Sequence, residues 1–188
     1  MIKAIITDFD GTLVDTFEAN YRAYQKSFSE CGRELTPQRY HECFGLRFDA
    51  FMSSMSVFDE PTACKIKELK KEYYPQYFEH LIIDRPLIGL IESFHQMGGK
   101  TAIASTARKE NLMNAINHLG IARYFDLILA GIDVKRGKPD PEIYNKAMES
   151  LGVAPDETLI FEDSDAGVKA AMASGAKHIR VTTEWFEQ

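Results

Sequence analysis

From residue 87 onward the chain alternates between helix-patterned segments and short apolar runs, and this alternation constrains the fold more than any other feature. Leu87, Leu90, Ile91 and Phe94 fall at helical spacing ahead of Gly98-Gly99. Residues 101–104 read as a strand. Leu112, Ile116 and Leu119 mark a helix stopped by Gly120, and 125–130 reads as another strand. Asp140 is placed to cap the next helix, with Pro141 at its first position and Gly152 ending it. Residues 158–161 form a strand, 166–174 a helix stopped by Gly175, and 178–181 a last strand. Runs this short suit strands, and the longer periodic segments suit helices. Alternation of this kind predicts an α/β fold, a doubly wound parallel sheet.

Ligands in such sheets bind beyond the carboxyl ends of the strands. Each core strand here ends in a polar residue. The first apolar run, 4–7, leads into Asp8-Phe9-Asp10-Gly11-Thr12; the second run ends in Ser105-Thr106. The third is followed, after a loop, by Lys138-Pro139, and the fourth ends in Glu162-Asp163. Chance supplies any one of these; all four in order point to a built site.

Side chains alternate along a strand, so Asp8 and Asp10 both point to one side of the strand tip. Gly11 lets the chain turn through backbone angles other residues avoid. Two acids at one edge repel unless a cation or a proton sits between them. A helix-loop-helix calcium loop would need a closing Glu at the twelfth position, where Ala19 stands.

Between residues 15 and 81 the pattern is helical throughout. Asp15 or Thr16 is placed to cap a helix, with Glu18 answering Asp15 in a capping box. Phe17, Tyr21, Tyr24 and Phe28 recur at helical spacing up to Gly32. Two further amphipathic pieces carry Phe48, Phe51, Met52 and Met55, and then Ile66, Leu69, Tyr73 and Tyr77. The expected organisation is a core of 1–14 and 82–188 interrupted by a helical insert of 15–81, with 81–86 as the return linker.

At 188 residues the chain can bury a good core. A net charge of -6 offers no basic stripe for nucleic acid. The three cysteines, Cys31, Cys43 and Cys64, are odd in number and lack metal-type spacing. They read as small buried apolar groups in a reducing compartment. No leader segment or membrane-length apolar run stands out, so a cytoplasmic protein is the expectation; it is taken to be a monomer.

Carboxylates crowded at one rim need a hard cation, and an all-oxygen set suits magnesium. Asp8, the backbone carbonyl of Asp10, and Asp163 are assigned as ligands, with Glu162 placed directly or through water. Glu162 and Asp163 also stand where helix capping could explain an acid, although Ser164 or Asp165 would serve equally. Ser105 precedes a helix, so its hydroxyl and the Thr106 amide can meet an anion where the helix dipole favours one. Lys138 brings a point charge to the same anion. This layout suits phosphoryl transfer. Asp8 is placed to attack phosphorus as nucleophile. Asp10 is placed to protonate the departing alcohol and then to activate water. Arg108, after Ser105-Thr106, could reach a phosphate or a sugar hydroxyl, or serve as a surface charge at a helix start.

Asp8-Phe9-Asp10-Gly11-Thr12-Leu13-Val14-Asp15-Thr16, Ser105, Lys138-Pro139 and Glu162-Asp163-Ser164 resemble the four signature motifs of the haloacid dehalogenase superfamily. The match runs over nearly the whole chain. It is similar to the branch holding β-phosphoglucomutases, phosphoglycolate phosphatases and small sugar phosphatases. The resemblance implies a Rossmann-like core, a helical cap at 15–81 that sets specificity, magnesium dependence, and the roles just argued. Its expected substrate is a small phosphate ester such as a sugar phosphate. Asp10 and the Glu162-Asp163 pair set the chain apart from metal-free dehalogenases. Thr12 is what the hydrolases usually show, and Asn20 stands where the mutases typically carry a histidine. Arg47 lies one residue from the place of the mutases' cap arginine and is a substrate-binding candidate; Lys70 and Lys71 are further cap candidates. Hydrolysis is therefore expected over phosphosugar mutation. A receiver-like phosphoacceptor module is a third reading, disfavoured because its phosphoacceptor stands on an interior strand, after a separate acidic pair.

Overall fold

The computed structural model describes residues 1–182 and Phe186. In chain order the elements are β1 (Ala4–Thr7), β2 (Val14–Asp15), α1 (Phe17–Ser29), α2 (Pro37–His41), α3 (Phe48–Ser54), α4 (Glu60–Tyr73) and β3 (Ile82–Ile83). They continue with α5 (Arg85–Gln96), β4 (Lys100–Ala104), α6 (Lys109–Leu119), β5 (Leu127–Leu129), α7 (Glu142–Leu151), β6 (Thr158–Glu162), α8 (Asp165–Ala173) and β7 (Lys177–Arg180). They divide into two compact units, Met1–Asp15 with Ile82–Gln188, and Thr16–Leu81.

The first unit is built on a five-stranded sheet of order β5-β4-β1-β6-β7. All its strand pairs are parallel. β1 is central and buried along its whole length, as its Ala-Ile-Ile-Thr sequence requires of a strand covered on both faces. Its register sets Thr7 opposite Ile103 on one side and Phe161 on the other. Asp8, Ala104 and Glu162 therefore emerge at one level, with Ser105 one residue beyond. Ile6, Ala102, Ala104 and Ile160 pack against Ile143, Tyr144, Ala147 and Met148 of α7 and against Ala170 and Ala171 of α8. That packing holds the ends of β1, β4 and β6 in fixed relation.

Several expectations need correction. The return segment 81–86 is no plain linker. Ile82 and Ile83 pair antiparallel with Asp15 and Val14. Asp84 Oδ1 then accepts from the Leu87 amide at 2.8 Å and starts α5, with Pro86 in its first turn. Asp15 is held in β2, so no Asp15–Glu18 capping box forms; Thr16 takes the cap position of α1 without capping it through its side chain. The strand expected over 125–130 is confined to Leu127–Leu129, because Asp126 turns back to accept from the Thr101 amide at 2.9 Å.

The second unit is helical, with Tyr21, Phe28, Tyr40, Phe51 and Ile66 in its core. α2 was not anticipated, although Thr36-Pro37 is a helix-start signal: Thr36 Oγ1 accepts from the Arg39 amide at 3.2 Å. Tyr77 falls outside α4, since Pro75 cannot continue an α-helix and the chain tightens into a 3-10 segment, Tyr74–His80. Of the cysteines only Cys43 is buried; Cys31 is half-buried and Cys64 exposed. Among the described residues no helix is long and apolar enough to cross a membrane.

Candidate active site

The reactive side chains stand at or just past the carboxyl ends of the strands. Asp8 follows β1 directly, and its amide donates to the Phe161 carbonyl at 3.0 Å. The chain then turns tightly: Gly11 N donates to the Val14 carbonyl at 2.8 Å, and Val14 N to the Phe9 carbonyl at 2.9 Å. Gly11 has φ +85°, and a Cβ there would fall 2.5 Å from Asp163 Oδ2. Only glycine lets the turn pass so close to that carboxylate. Asp10, half-buried, accepts from Ser105 Oγ at 3.3 Å through its Oδ2.

Lys138 enters from the loop between β5 and α7. Its ammonium donates to Asp8 Oδ1 at 2.6 Å and also to Glu162 Oε1. Glu162 ends β6 and is fully buried. Its Oε1 also accepts from the Tyr144 hydroxyl at 2.8 Å. Its Oε2 accepts from the Ser164 amide at 3.2 Å and the Ser164 hydroxyl at 3.1 Å. Asp163 Oδ1 accepts from Thr12 Oγ1 at 2.7 Å. Carboxylate oxygens of Asp8, Glu162 and Asp163 lie within 4.8 Å of one another.

Burial pushes the Asp8 carboxyl well up, against the pull of Lys138, and the acids Glu162, Asp163 and Asp10 add to the rise. Burial likewise raises Asp163, opposed by the Thr12 hydrogen bond. Burial works against the Lys138 charge, but Asp8, Tyr144 and Glu162 outweigh it and hold the ammonium well above the ordinary lysine range. Burial raises the Tyr144 phenol, which keeps it a donor. The pocket therefore holds more negative charge than one lysine balances. An all-oxygen donor set short of positive charge fits a hard divalent cation such as magnesium. Asp8, Asp163 and the Asp10 carbonyl would hold it, with Glu162 beside them.

The structure thus brings together Asp8, Asp10, Ser105, Lys138, Glu162 and Asp163. Ser105 is not at a helix start, however. Its Oγ accepts from the Ala107 amide at 3.0 Å, and α6 begins only at Lys109. The dipole effect fades within a helix's first turn, so any help Ser105 and Thr106 give an anion comes from local hydroxyl and amide groups. Thr106 is half-buried, and its carbonyl lies where a Cβ on Gly131 would strike it. Arg108 is exposed at the cap position of α6. Arg47 belongs to the helical unit, exposed at the residue before α3. Sequence reasoning missed Tyr144. The available signal was a tyrosine on the buried face of α7, since a buried phenol needs a partner for its hydroxyl.

The family model described as haloacid dehalogenase-like hydrolase matches residues 5–181. A phosphorylated carbohydrates phosphatase of Thermotoga maritima is 30% identical over 185 residues, covering 95% of this chain and 84% of the relative. Among solved structures, a mutant of CbbY from Rhodobacter sphaeroides in complex with xylulose-1,5-bisphosphate superposes with a TM-score of 0.87 at 26% identity, covering 97% of this chain and 87% of that one. A β-phosphoglucomutase from Clostridium difficile gives a TM-score of 0.80 at 25% identity, over 96% and 84% of the two chains. The chain belongs to the haloacid dehalogenase-like hydrolases. Within that family it falls in the branch of the β-phosphoglucomutases and phosphoglycolate phosphatases.

Proposed function

We infer that the chain hydrolyses a small phosphate monoester, a sugar phosphate, by way of an aspartyl-phosphate on Asp8. The observation that carries this reading is the grip of Lys138 on Asp8 Oδ1 at 2.6 Å, with the Asp163 carboxylate beside the same group. The lysine fixes one oxygen of the nucleophile and leaves the other to attack phosphorus in line with the departing alcohol. Asp10 hands a proton to that alcohol. It then takes one from the water that cleaves the acyl phosphate. Ser105 Oγ and the Thr106 amide bind phosphoryl oxygens, and the Lys138 ammonium neutralises charge on them. Magnesium, when bound, supplies further charge neutralisation at the phosphoryl group.

The sugar-phosphate assignment rests on a relative named a phosphorylated carbohydrates phosphatase and on a neighbour solved in complex with xylulose-1,5-bisphosphate. Specificity is assigned to the helical unit, with Arg47 as its candidate contact; Arg108, in the first unit, is a second candidate. The unpaired cysteine count is the reason for placing the protein in the cytoplasm; we take it to act as a monomer. The test is a phosphate-release screen over small phosphate esters, with magnesium and with chelator. Free phosphate, dependent on the metal, supports hydrolysis. An isomerised sugar phosphate with no free phosphate would make the chain a mutase instead.

A further inference from the structure

We propose that Tyr144 is a positioning residue, whose hydroxyl fixes the Glu162 carboxylate and through it aims the Lys138 ammonium at Asp8. Its catalytic consequence rests on the phosphatase reading above; its geometry does not. Tyr144 is fully buried on α7, beside Ile143, Ala147 and Met148, which bind the helix to the sheet. Its one polar atom is directed at Glu162 Oε1, 2.8 Å away, and that oxygen also receives Lys138. The opposite oxygen is held by the Ser164 amide and hydroxyl.

A carboxylate offers about four acceptor positions, and in Glu162 four protein donors use them. Rotation about the last bond of that side chain is therefore blocked from both ends. Lys138 is different, since an ammonium on a four-carbon stem has little rigidity of its own. Its direction comes from what it is tied to. The Tyr144 ring lies 5.0 Å from the Lys138 ammonium, within the range of attraction between a cation and an aromatic face. One side chain thus touches the lysine with its ring and the lysine's anchor with its oxygen. Without the hydroxyl, Oε1 is left with Lys138 alone, and the carboxylate can swing with the ammonium attached.

Tyr144→Phe isolates the oxygen, because ring and packing stay. On p-nitrophenyl phosphate with saturating magnesium we expect kcat to fall about ten- to a hundredfold, the size of a lost hydrogen bond to a charged group. KM should stay near that of the parent, and the thermal midpoint should fall by a few degrees for the lost buried bond. In a Glu162→Gln background the same change should have little further effect, since the link it acts through is already broken. A second readout needs no turnover. In protein labelled with 15N at lysine Nζ, the signal lost in Lys138→Arg should shift or broaden in Tyr144→Phe. It should stay in place in Tyr124→Phe, whose hydroxyl meets Arg123 instead. Fully additive losses in the double variant, or an unchanged kcat together with an unchanged Lys138 signal, would overturn the proposal. If the parent turns over no ester, the phosphatase reading falls, and the Lys138 signal alone decides the role of Tyr144.

Discussion

Thr12 and Asp163 stand 151 positions apart in the chain and share a 2.7 Å hydrogen bond, with the threonine hydroxyl donating to Oδ1. Thr12 is fully buried, so this hydroxyl has one evident task, to hold the Asp163 carboxylate at a set angle. Replacing it with valine keeps the shape and removes the donor. Groups that orient metal ligands typically contribute about ten- to a hundredfold to affinity. Thr12→Val is expected to raise the magnesium concentration for half-maximal phosphate release about tenfold. An unmoved magnesium titration would show that Asp163 needs no such support.

Asp8→Asn removes the proposed nucleophile and leaves a side chain of nearly the same volume. Phosphate release is expected to fall by about a thousandfold or more. The circular dichroism spectrum should match that of the parent. Turnover close to the parent's would place the nucleophile elsewhere.

Asp10→Asn keeps a hydrogen-bonding group opposite Ser105 but cannot move a proton. Loss of a general acid/base is worth roughly a hundredfold or more. Both the burst of alcohol release and the later release of phosphate should slow, as rapid-quench kinetics would record. A slowed burst with normal breakdown would confine Asp10 to the first half of the reaction.

The metal-free protein should respond to pH in a definite direction. Asp8 and Asp163 both titrate above the ordinary aspartate value of 3.8 when folded. The folded state then binds more protons than the unfolded state, so stability falls as pH rises from 3.8 through the raised values. Lys138, raised above 10.5, stays charged across that window and does not reverse the slope. Magnesium relieves the repulsion and competes with protons for the same oxygens. A thermal-shift titration should show more stabilisation by magnesium at pH 7 than at pH 5, with about 2.7 kcal/mol at a hundredfold excess over Kd. Equal shifts at both pH values would mean the ion binds away from these acids.

Gly167 lies in the first turn of α8, against Glu162, where an added Cβ would overlap the carboxyl group. Gly167→Ala forces α8 or Glu162 to move, an overpacking change expected to be worth about 1–3 kcal/mol. The thermal midpoint should fall and kcat with it, because Glu162 anchors Lys138. A normal midpoint with normal kcat would mean that α8 shifts freely.

The parallel sheet was readable from the sequence because each strand is short, apolar and separated from the next by a helix with clear stops. The polar ends of those strands were readable too, and the parallel register brings Asp8, Ser105 and Glu162 to one rim. Residues acting through a single oxygen or a missing Cβ were harder to see. Nothing in the sequence sets Tyr144 apart from a residue that packs a helix, or Gly167 from any small residue on a helix face. What they do depends on a neighbour far away in sequence. The Asp15–Glu18 capping box failed for a related reason: Asp15 is drawn into pairing with Ile82, a contact from the other end of the insert.

The two-residue ribbon of β2 and β3 has an evolutionary consequence. Because Asp15 lies directly across from Ile82, the points where segment 16–81 leaves and rejoins the chain are next-door neighbours. A short hairpin could bridge them, so the intervening stretch behaves as a cassette, open to exchange, enlargement or deletion while the catalytic chemistry is inherited unchanged.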